Sequence, residues 1–322
     1  MTRYFRKVIR IVAEDSPNVQ LGLLQLARGE EPTDEVLVPG VLTYSEWRRR
    51  LATWDEVRKT VGLWAQFYKG AAIMLFPAER LDRAAERFRE LRGRRRMVRG
   101  IGIDPGEGNA NTTWVLMDEL GVIDIESEKT ADTSVVVPRT MALIRRTGIS
   151  PTRVCFDRGG GGKQHADMLR ARGFPVRTVG FGAKARTEVK HPGQVTLYRE
   201  KRSVIEEKTT FKNMRCQMFF EVSDELNPAN NLRGFAVPGP EYGPAAVELR
   251  RQLLVFERCY DENGVSYTNT KKPPALGSGK TPPGRPRSLL EVLGGSPDEA
   301  DAFALARYAM MHQAVQQQAG VV

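Results

Sequence analysis

Four aspartates occupy positions from which their carboxylates could meet. Asp104 follows the apolar run "GIGI" and precedes "PGEG", and Asp157 follows "RVCF" and precedes "RGGGG". Both are therefore predicted at strand ends, beside glycines that allow another backbone to approach closely. Asp298 and Asp301 lie in "SPDEADAFALA", a predicted helix whose buried stripe begins at Ala302. Either of these two acids could point from the start of the helix toward the sheet.

Converging carboxylates would have a definite chemistry. They repel one another unless they are protonated or bind a cation. Their hard oxygen ligands select Mg²⁺ or Mn²⁺. Two such ions about 3.5–4 Å apart can activate water and stabilise the leaving oxygen during hydrolysis of a phosphodiester. The four aspartates thus favour a two-ion site that acts on a phosphodiester.

Each acid also has a purely structural interpretation. An aspartate at a strand end, before Pro-Gly or a glycine run, is a common turn former, which applies to Asp104 and Asp157. Acids in the first turn of a helix complement its dipole, and this applies most directly to Asp298. Asp301 lies one turn further in, where an unpaired carboxylate is costly. The residue types alone leave both interpretations open.

The elements that would position these acids are strands followed by strands that alternate with helices. Residues 112–130 predict two strands joined by a turn, and residues 133–148 predict a helix. Further helices are predicted over residues 198–210 and at the start of 248–270, which ends in a hairpin turned at Asn263-Gly264. The last helix is predicted to start with Ser296 as N-cap, Pro297 as first residue and Glu299 as capping-box partner. This order predicts an α/β fold with a mixed sheet flanked by helices.

The first 98 residues have a different pattern. Residues 45–68 have apolar residues at helical spacing with Ser45 as a plausible N-cap, and residues 78–92 predict a second helix. An arginine-rich stretch, 92–96, follows. We therefore predict two regions, 1–98 and 99–322.

The charge of the chain indicates a polyanionic partner. The 322 residues contain 49 basic and 39 acidic side chains, a net charge of +10. Basic residues cluster in 92–99, 180–215 and 265–288, and the last segment contains no acid. Clustered positive charge favours contact with a phosphate backbone. The basic residues predicted to contact DNA are Lys280, Lys271, Lys272, Arg285, Arg158 and Lys163.

Several other classes of site are disfavoured. The three cysteines and three histidines are far apart and match no zinc or disulfide pattern. No apolar run is long enough to span a membrane, and the first residues lack the apolar block of a signal peptide, so we expect a cytosolic protein. The tripeptide Gly279-Lys280-Thr281 resembles the end of a P-loop, but Pro274 replaces the required first glycine and Pro282 blocks the helix start. We therefore expect no nucleotide triphosphate to bind there.

Four segments, in order, resemble the nuclease domain of phage large terminase subunits: "GIGIDPGEGNANTTWVLMD", "VCFDRGGGGKQHADMLRARGFPVRTVGFG", "YREKRS" and "GSPDEADAFALARY". The resemblance implies a ribonuclease H-like fold, related to Holliday-junction resolvases. By this resemblance Asp104 and Asp157 match the first two catalytic metal ligands. The third falls in "PDEADA", where Asp301 is favoured and Asp298 is the second candidate, because related resolvases use two acids in this helix.

The region 1–98 resembles the end of the ATPase region of the same family. The segments "AEDSPNV" and "WRRRLATWDEVRKTVGLWAQFYKGAAIMLFPAERLDRA" carry this similarity, and a small, mainly helical remnant is expected. Full large terminases carry their Walker motifs upstream of "AEDSPNV", so no ATPase site is expected in this sequence. Both a truncated form and a split gene with a separately encoded ATPase part are compatible with that expectation.

The resemblance implies a metal-dependent endonuclease that cuts double-stranded DNA during phage genome packaging, using two Mg²⁺ or Mn²⁺ ions. The implied partners are DNA, the portal protein, the small terminase subunit and the separate ATPase part, in the host cytoplasm, transiently at the procapsid portal and with no membrane involved. The alternatives are a structure-selective junction resolvase and a non-catalytic DNA-binding module of the packaging motor.

Overall fold

The computed structural model describes residues 10–54, 58–66, 74–106, 110–185, 189–191, 207–209, 211–261, 265–273 and 286–311. The chain divides into two compact units, Met1–Ile73 with Glu188–Thr209, and Met74–Thr187 with Thr210–Val322. The helices are α1 Pro17–Ala27, α2 Tyr44–Thr53, α3 Ala78–Leu91, α4 Val136–Thr147, α5 Gly162–Ala171, α6 Met214–Glu225, α7 Pro244–Leu253, α8 Leu289–Leu293 and α9 Asp298–Met311. The strands are β1 Gly100–Asp104, β2 Asn111–Asp118, β3 Gly121–Lys129, β4 Val154–Asp157, β5 Arg177–Val179, β6 Val189–His191, β7 Glu207–Thr209, β8 Cys259–Tyr260 and β9 Ser266–Tyr267. The sequence boundary near residue 98 stays a prediction.

In the first unit, helices α1 and α2 pack around a small apolar core of Val19, Tyr44, Trp47 and Leu63. Gly22 allows the two helices to approach closely, because a Cβ atom there would lie 2.4 Å from the Tyr44 ring. The helix predicted over residues 45–68 is wrong in its extent. Helix α2 ends at Thr53, where Trp54 takes an extended conformation, and a π-helical turn, Lys59–Leu63, follows.

The N-cap of α2 also differs from the prediction. Thr43, rather than Ser45, precedes the helix, and its hydroxyl accepts a hydrogen bond from the amide of Glu46. Ser45 lies inside the helix, where its backbone amide and hydroxyl both donate to Asp34. A threonine cap satisfies one of the free amides at the helix start as well as a serine would.

The second unit is built on a mixed five-stranded sheet of order β3-β2-β1-β4-β5. Strands β1, β2 and β3 pair antiparallel, whereas β4 lies parallel to both β1 and β5. Every residue of β1 is buried, as are the first three residues of β4, which is typical of central strands covered on both faces. The predicted α/β class and strand arrangement are confirmed.

Helices cover both faces of this sheet and give it two apolar cores. On one face α4 and α5 pack against Ile101, Ile103, Trp114 and Phe156. On the other face α3, α6, α7 and α9 surround a larger core that includes Val115, Met117 and Cys155 from the strands. Successive residues of each strand point to opposite faces of the sheet, so they alternate between these two cores. Along the described residues, no helix has the length and apolar character that crossing a membrane requires.

The close packing of α9 on β1 depends on two glycines. A Cβ atom on Gly102 would lie 2.1 Å from both the Ala302 carbonyl oxygen and the Ala306 amide nitrogen, and one on Gly100 would lie 2.5 Å from the Ala306 carbonyl oxygen. Any side chain at these positions would push the helix off the strand. The "GIGI" run therefore determines how near the first turn of α9 comes to Asp104.

Two short hairpins complete the described structure. Strands β8 and β9 pair antiparallel as the sequence predicts, and the turn residues Asn263-Gly264 lie outside the described residues. The helix predicted over residues 198–210 is wrong for Glu207–Thr209, which forms β7 and pairs antiparallel with β6. Backbone pairing between strands overrides a weak local preference for helix.

Candidate carboxylate site

Asp104 and Asp157 lie next to each other at the carboxyl ends of two parallel strands. Ile103 of β1 pairs with Phe156 of β4, and each aspartate is the next residue of its strand. The side chain of Asp104 is 5% exposed, and Asp157 is partly buried. The carboxyl edge of parallel strands is where open α/β sheets commonly bind ligands.

The glycine run after Asp157 forms the loop that leads into α5. Gly160 and Gly161 have φ angles of +51° and +75°, which a side chain would disfavour. A Cβ atom on Gly162 would lie 1.8 Å from the carbonyl oxygen of Asp157. A Cβ atom on Gly159 would lie 3.1 Å from Asp157 Oδ2, so the loop backbone lies against this carboxylate, while the Arg158 amide donates to the Val179 carbonyl at 2.8 Å. The run thus fixes the orientation of Asp157.

Helix α9 brings two further carboxylates to the same edge. Asp301 is fully buried and Asp298 is 7% exposed. An Oδ2 atom of Asp298 accepts a hydrogen bond of 3.1 Å from the backbone amide of Asn111, at the start of β2. All three neighbouring aspartates act electrostatically on Asp104. The structure therefore brings together the four acids that the sequence selected.

Two cations lie among these carboxylates. The Arg215 guanidinium donates from Nε and Nη2 to Asp301 Oδ1 at 3.1 and 2.9 Å, and from Nη1 to the Asn269 carbonyl at 3.1 Å. The Lys271 ammonium lies 3.0 Å from Asp301 Oδ2 and 3.7 Å from Asp104 Oδ2. Asp301 thus has a cation on each oxygen, and Lys271 bridges it to Asp104.

The backbone holds Lys271 in this inward position. The amides of Leu289 and Leu290, at the start of α8, donate to the carbonyl oxygens of Thr270 and Lys271 at 2.8 and 3.1 Å. Asn269 anchors the same segment, because its side chain donates to the Arg287 carbonyl at 2.9 Å and accepts from the Glu257 amide at 2.6 Å. Lys271 was predicted to contact DNA, but in this structure it faces the carboxylates.

Burial and mutual repulsion raise the pKa values of three of these acids. Loss of solvent, followed by the charges of Asp301, Asp298 and Asp157, raises the pKa of Asp104 well above its ordinary value although Lys271 opposes this. Burial also raises the pKa of Asp157, and it raises the pKa of Asp298 to about 6. Burial of Lys271 opposes its charge, yet Asp301 and Asp104 raise its pKa above the ordinary lysine value.

The charges of the cluster do not balance. Its four carboxylates face the two cations Arg215 and Lys271, so two carboxylates have no cationic partner. Asp104 Oδ2 is buried and accepts no hydrogen bond within the described part of the chain. An oxygen-rich cluster with surplus negative charge and a buried carboxylate oxygen that accepts no hydrogen bond fits a hard divalent cation.

The side chains are not arranged as a closed metal cage. Within the described ranges, no three acidic, histidine or cysteine side chains are grouped closely enough to hold one ion. Lys271 and Arg215 contact the two oxygens of Asp301, the most buried acid of the cluster. The roles of Asp104, Asp157, Asp301 and Asp298 as metal ligands stay predictions.

The residues predicted to contact DNA lie in different settings. Arg158 and Lys163 are exposed and line one shallow depression of about 590 Å³ at the start of α5. Lys272 is exposed and follows the half-buried Lys271. Lys280 and Arg285 lie outside the described residues.

One arginine of the basic cluster 92–99 has a structural role, whereas Arg92, Arg94, Arg95 and Arg99 are exposed. Arg96 is almost buried, forms an ion pair with Asp118 and donates to the carbonyl oxygens of Val122 and Gly121 at 2.8 and 2.9 Å. It thus holds the turn between β2 and β3. Buried arginines paired in this way are not available to a phosphate backbone.

Two important residues were missed by the sequence analysis. Arg215 is the only cation of α6 and lies between the buried residues Met214 and Cys216, and that isolation is a signal that it needs a buried acid. Glu299 was assigned to a capping box, but its oxygens accept hydrogen bonds from Asn111, Ser127 and Gln252. Its partners come from three other elements, which spacing along one helix cannot reveal.

Comparison with known proteins finds similarity only at the level of structure. No family sequence model matches the chain, and no curated protein sequence matches it. The nuclease domain of the large terminase subunit gp2 of bacterial virus Sf6 superposes with a TM-score of 0.53 at 17% identity, covering 75% of this chain and 100% of that one. A mutant of the same domain with manganese and beta-thujaplicinol gives the same values. A mutant with calcium has a TM-score of 0.52, covering 74% of this chain and 99% of that one.

These superpositions agree with the mixed sheet and its flanking helices described above. At 17% identity they establish the fold and leave the activity to be argued from the site. The chain has the ribonuclease H-like fold of large terminase nuclease domains.

Proposed function

We propose that this protein is a divalent-metal-dependent endonuclease that cuts double-stranded DNA during phage genome packaging. The observation that carries the proposal is the cluster of Asp104, Asp157, Asp298 and Asp301, in which four acids from three elements face only two cations. Surplus buried negative charge destabilises a fold and is kept where it has a use. The fold it belongs to is that of terminase nuclease domains.

The cluster would hold two Mg²⁺ or Mn²⁺ ions. Asp104, Asp157 and Asp301 are the proposed catalytic ligands, with Asp298 as a further candidate from the same helix. The related Sf6 domain was solved with manganese and with calcium, which are both ions that prefer oxygen ligands. When bound, such ions supply an activated water and stabilise the leaving oxygen of a phosphodiester.

The residues of the chain would prepare this site in several ways. Arg215 holds Asp301 in one orientation, and the backbone at Gly159 lies against the carboxylate of Asp157. Glycines 159–161 leave room for a DNA backbone beside Asp157. Lys271 offers an ammonium between Asp104 and Asp301, where a scissile phosphate would approach.

Exposed basic residues would bind the rest of the duplex. Arg158, Lys163 and Lys272 are exposed, and we propose that Lys280 and Arg285 extend the same contact. Contacts of this kind go to phosphates and carry no sequence information, so little base preference is expected. Packaging would further require the portal protein, the small terminase subunit and an ATPase part that we propose is related to residues 1–98. The reaction would take place in the host cytoplasm.

A plasmid cleavage assay tests the proposal. Supercoiled plasmid is incubated with the protein in Mn²⁺, Mg²⁺ or EDTA, and nicked and linear products are quantified. We expect cutting with either metal and none in EDTA. Asp157→Ala should abolish cutting, whereas Asp167→Ala should not, because Asp167 is an exposed acid on α5 paired with Arg170.

Other outcomes would replace the proposal with a named alternative. A preference for four-way junctions over linear duplex would indicate a resolvase. Salt-sensitive DNA binding without cleavage in any divalent metal would indicate a non-catalytic module of the motor. Cutting that survives both Asp157→Ala and Asp104→Ala would overturn the assignment of the site.

A further inference from the structure

A fifth acid lies in the first turn of α9 and belongs to a separate hydrogen-bond network. Glu299 is 2% exposed and forms no ion pair within the described residues. Its Oε1 atom accepts from Asn111 Nδ2 at 3.3 Å and from Ser127 Oγ at 2.6 Å, and its Oε2 atom accepts from Gln252 Nε2 at 2.5 Å. Three neutral donors thus surround a buried carboxylate, a costly arrangement unless the bonds serve a purpose.

The network joins three elements to the start of α9. Asn111 begins β2, Ser127 lies on β3 and Gln252 lies on α7. Gln252 also accepts a hydrogen bond of 2.8 Å from the Ala300 amide through its Oε1 atom. The first turn of the helix is therefore held by its backbone as well as by the Glu299 side chain.

One member of the network also holds an acid of the carboxylate cluster. The backbone amide of Asn111 donates to Asp298 Oδ2 at 3.1 Å, while its side chain donates to Glu299. Asp298 and Glu299 are thereby tied to the same residue from two adjacent helix positions. A shift of Asn111 would move the Asp298 carboxylate relative to Asp104 and Asp301.

We propose that Glu299 is a positioning residue that sets the affinity of the carboxylate cluster for divalent cations by fixing Asn111 and the first turn of α9. The proposal rests on the function proposed above. Groups that orient the ligands of a metal site commonly change metal affinity or activity by about 10–100-fold when they are removed.

The network requires an acceptor on both oxygens of residue 299. In Glu299→Gln an amide group replaces one oxygen, and at the Oε2 position its N–H faces the Gln252 donor. At the Oε1 position the Ser127 hydroxyl and the Asn111 amide must turn to accept from it, which disturbs Asn111. Gln252 cannot exchange its own oxygen and nitrogen without losing the bond from the Ala300 amide. The substitution preserves size and removes an acceptor together with one negative charge, so it separates positioning from packing, and Glu225→Gln controls for the loss of one charge beside α9.

The test compares Glu299→Gln with Glu225→Gln. Glu225 is also a partly buried acid bonded to α9, because it accepts from Arg307 Nη2 at 2.9 Å, two turns from Asp301. Mn²⁺ binding is measured by calorimetry, and unfolding temperature and plasmid cutting are measured on the same samples. We expect Mn²⁺ affinity to fall about 10-fold or more in Glu299→Gln, with reduced kcat and an unchanged KM for DNA. Glu225→Gln should unfold at a lower temperature than the wild type, with unchanged Mn²⁺ affinity.

A swap variant guards against a trivial loss of folding. Gln252 Nε2 also donates to Glu248 Oε1 at 2.9 Å, so the swap must change that acceptor too. In Glu299→Gln combined with Gln252→Glu and Glu248→Gln, the donor and the acceptor of both Gln252 bonds are exchanged, and the Ala300 amide keeps its acceptor. We expect part of the Mn²⁺ affinity to return in this triple variant. No return, with both variants as stable as the wild type, would contradict the proposal.

The outcomes also separate this proposal from the proposed function. Wild-type protein that binds Mn²⁺ without cutting DNA, with affinity dependent on Glu299, would retain the positioning role and refute the nuclease. If the wild-type protein cuts DNA and Glu299→Gln has the same Mn²⁺ affinity and kcat, the nuclease proposal stands and the positioning role of Glu299 is refuted. Wild-type protein that binds no Mn²⁺ would overturn both.

Discussion

Both ends of helix α9 carry buried charges, but the charges are balanced at one end and unbalanced at the other. Toward its C-terminal end, Arg307 donates to Glu221 and Glu225 at 2.6 and 2.9 Å, and all three side chains are largely buried. In its first turn, Asp298 and Asp301 join Asp104 and Asp157, which gives four acids against the two cations Arg215 and Lys271. One helix therefore contains a paired cluster and an unpaired one within the same layer of the fold.

The difference separates structural charge from functional charge. In the Arg307 cluster each carboxylate has a cation at hydrogen-bond distance, so the charges stabilise one another once they are buried. In the aspartate cluster Asp104 Oδ2 has no hydrogen bond, and repulsion raises the pKa of Asp104. Removal of the cation should therefore destabilise the Arg307 cluster, whereas removal of the Asp104 carboxylate should stabilise the metal-free aspartate cluster. Single substitutions test this expectation.

The largest effect is expected for Asp104→Asn, which removes one charge and keeps the shape. Cutting should fall by about 10³-fold, equivalent to about 4 kcal/mol of activation free energy, because a direct metal ligand is lost. In EDTA the variant should unfold at a higher temperature than the wild type, since a buried and repelled carboxylate is gone. Plasmid nicking in Mn²⁺ and thermal unfolding in EDTA measure the two effects. A lower unfolding temperature than that of the wild type in EDTA would show instead that the Asp104 carboxylate stabilises the fold.

Arg307→Ala should have the opposite signature at the other end of the helix. Removal of the cation leaves Glu221 and Glu225 buried without their partner, which costs about 3 kcal/mol of unfolding free energy. The rate of plasmid cutting per folded molecule should not change, because Arg307 contacts none of the four aspartates. Urea unfolding and single-turnover nicking check the two parts. A matching loss of cutting rate in the folded fraction would mean that the two clusters are coupled.

The pH dependence of stability should show a smaller difference between the clusters, which comes from Asp298. Burial raises the pKa of Asp298 to about 6. Between about pH 4 and pH 6 the folded protein therefore keeps a proton that the unfolded chain has already released. Metal-free protein should thus gain stability as pH falls through this window, by on the order of 2 kcal/mol from this group. Asp298→Asn should lose this part of the slope. Urea unfolding in EDTA from pH 7.5 to 4.5 measures the difference, and parallel curves for the two proteins would refute it.

The sequence predicted much of this site for a definable reason. Asp104 and Asp157 each end an apolar strand, and parallel strands necessarily bring such ends together. The glycines of "GIGI" and "RGGGG" mark close approaches that the structure contains at Gly102 and Gly162. These signals are local, so they can be read from short segments of the chain.

What the sequence could not predict depends on contacts between distant segments. Arg215 and Lys271 reach Asp301 across 86 and 30 positions of the chain, and Asn111 reaches Glu299 across 188. Local patterns predicted a DNA contact for Lys271, which stays a prediction, and a capping box for Glu299, but not the buried acids or donors that these side chains contact. The strand at Glu207–Thr209 was missed for the same reason, because its pairing partner lies in β6. Which cations neutralise a buried acid is decided by tertiary packing.

The smallest predicted effect is the change in Mn²⁺ affinity caused by Lys271→Ala. Its ammonium lies between Asp104 and Asp301, so a divalent ion bound there must share the carboxylates with it. Without this cation the cluster has a larger negative surplus, and Mn²⁺ affinity should rise by about 10-fold, or about 1.4 kcal/mol, while stability in EDTA falls. Lys272→Ala is the matched control, because Lys272 is the next residue and is exposed. Calorimetric titration with Mn²⁺ measures both. Weaker binding in Lys271→Ala alone would mean that the ammonium organises the carboxylates for the metal rather than competing with it, and the unpaired end of α9 would then resemble the paired end.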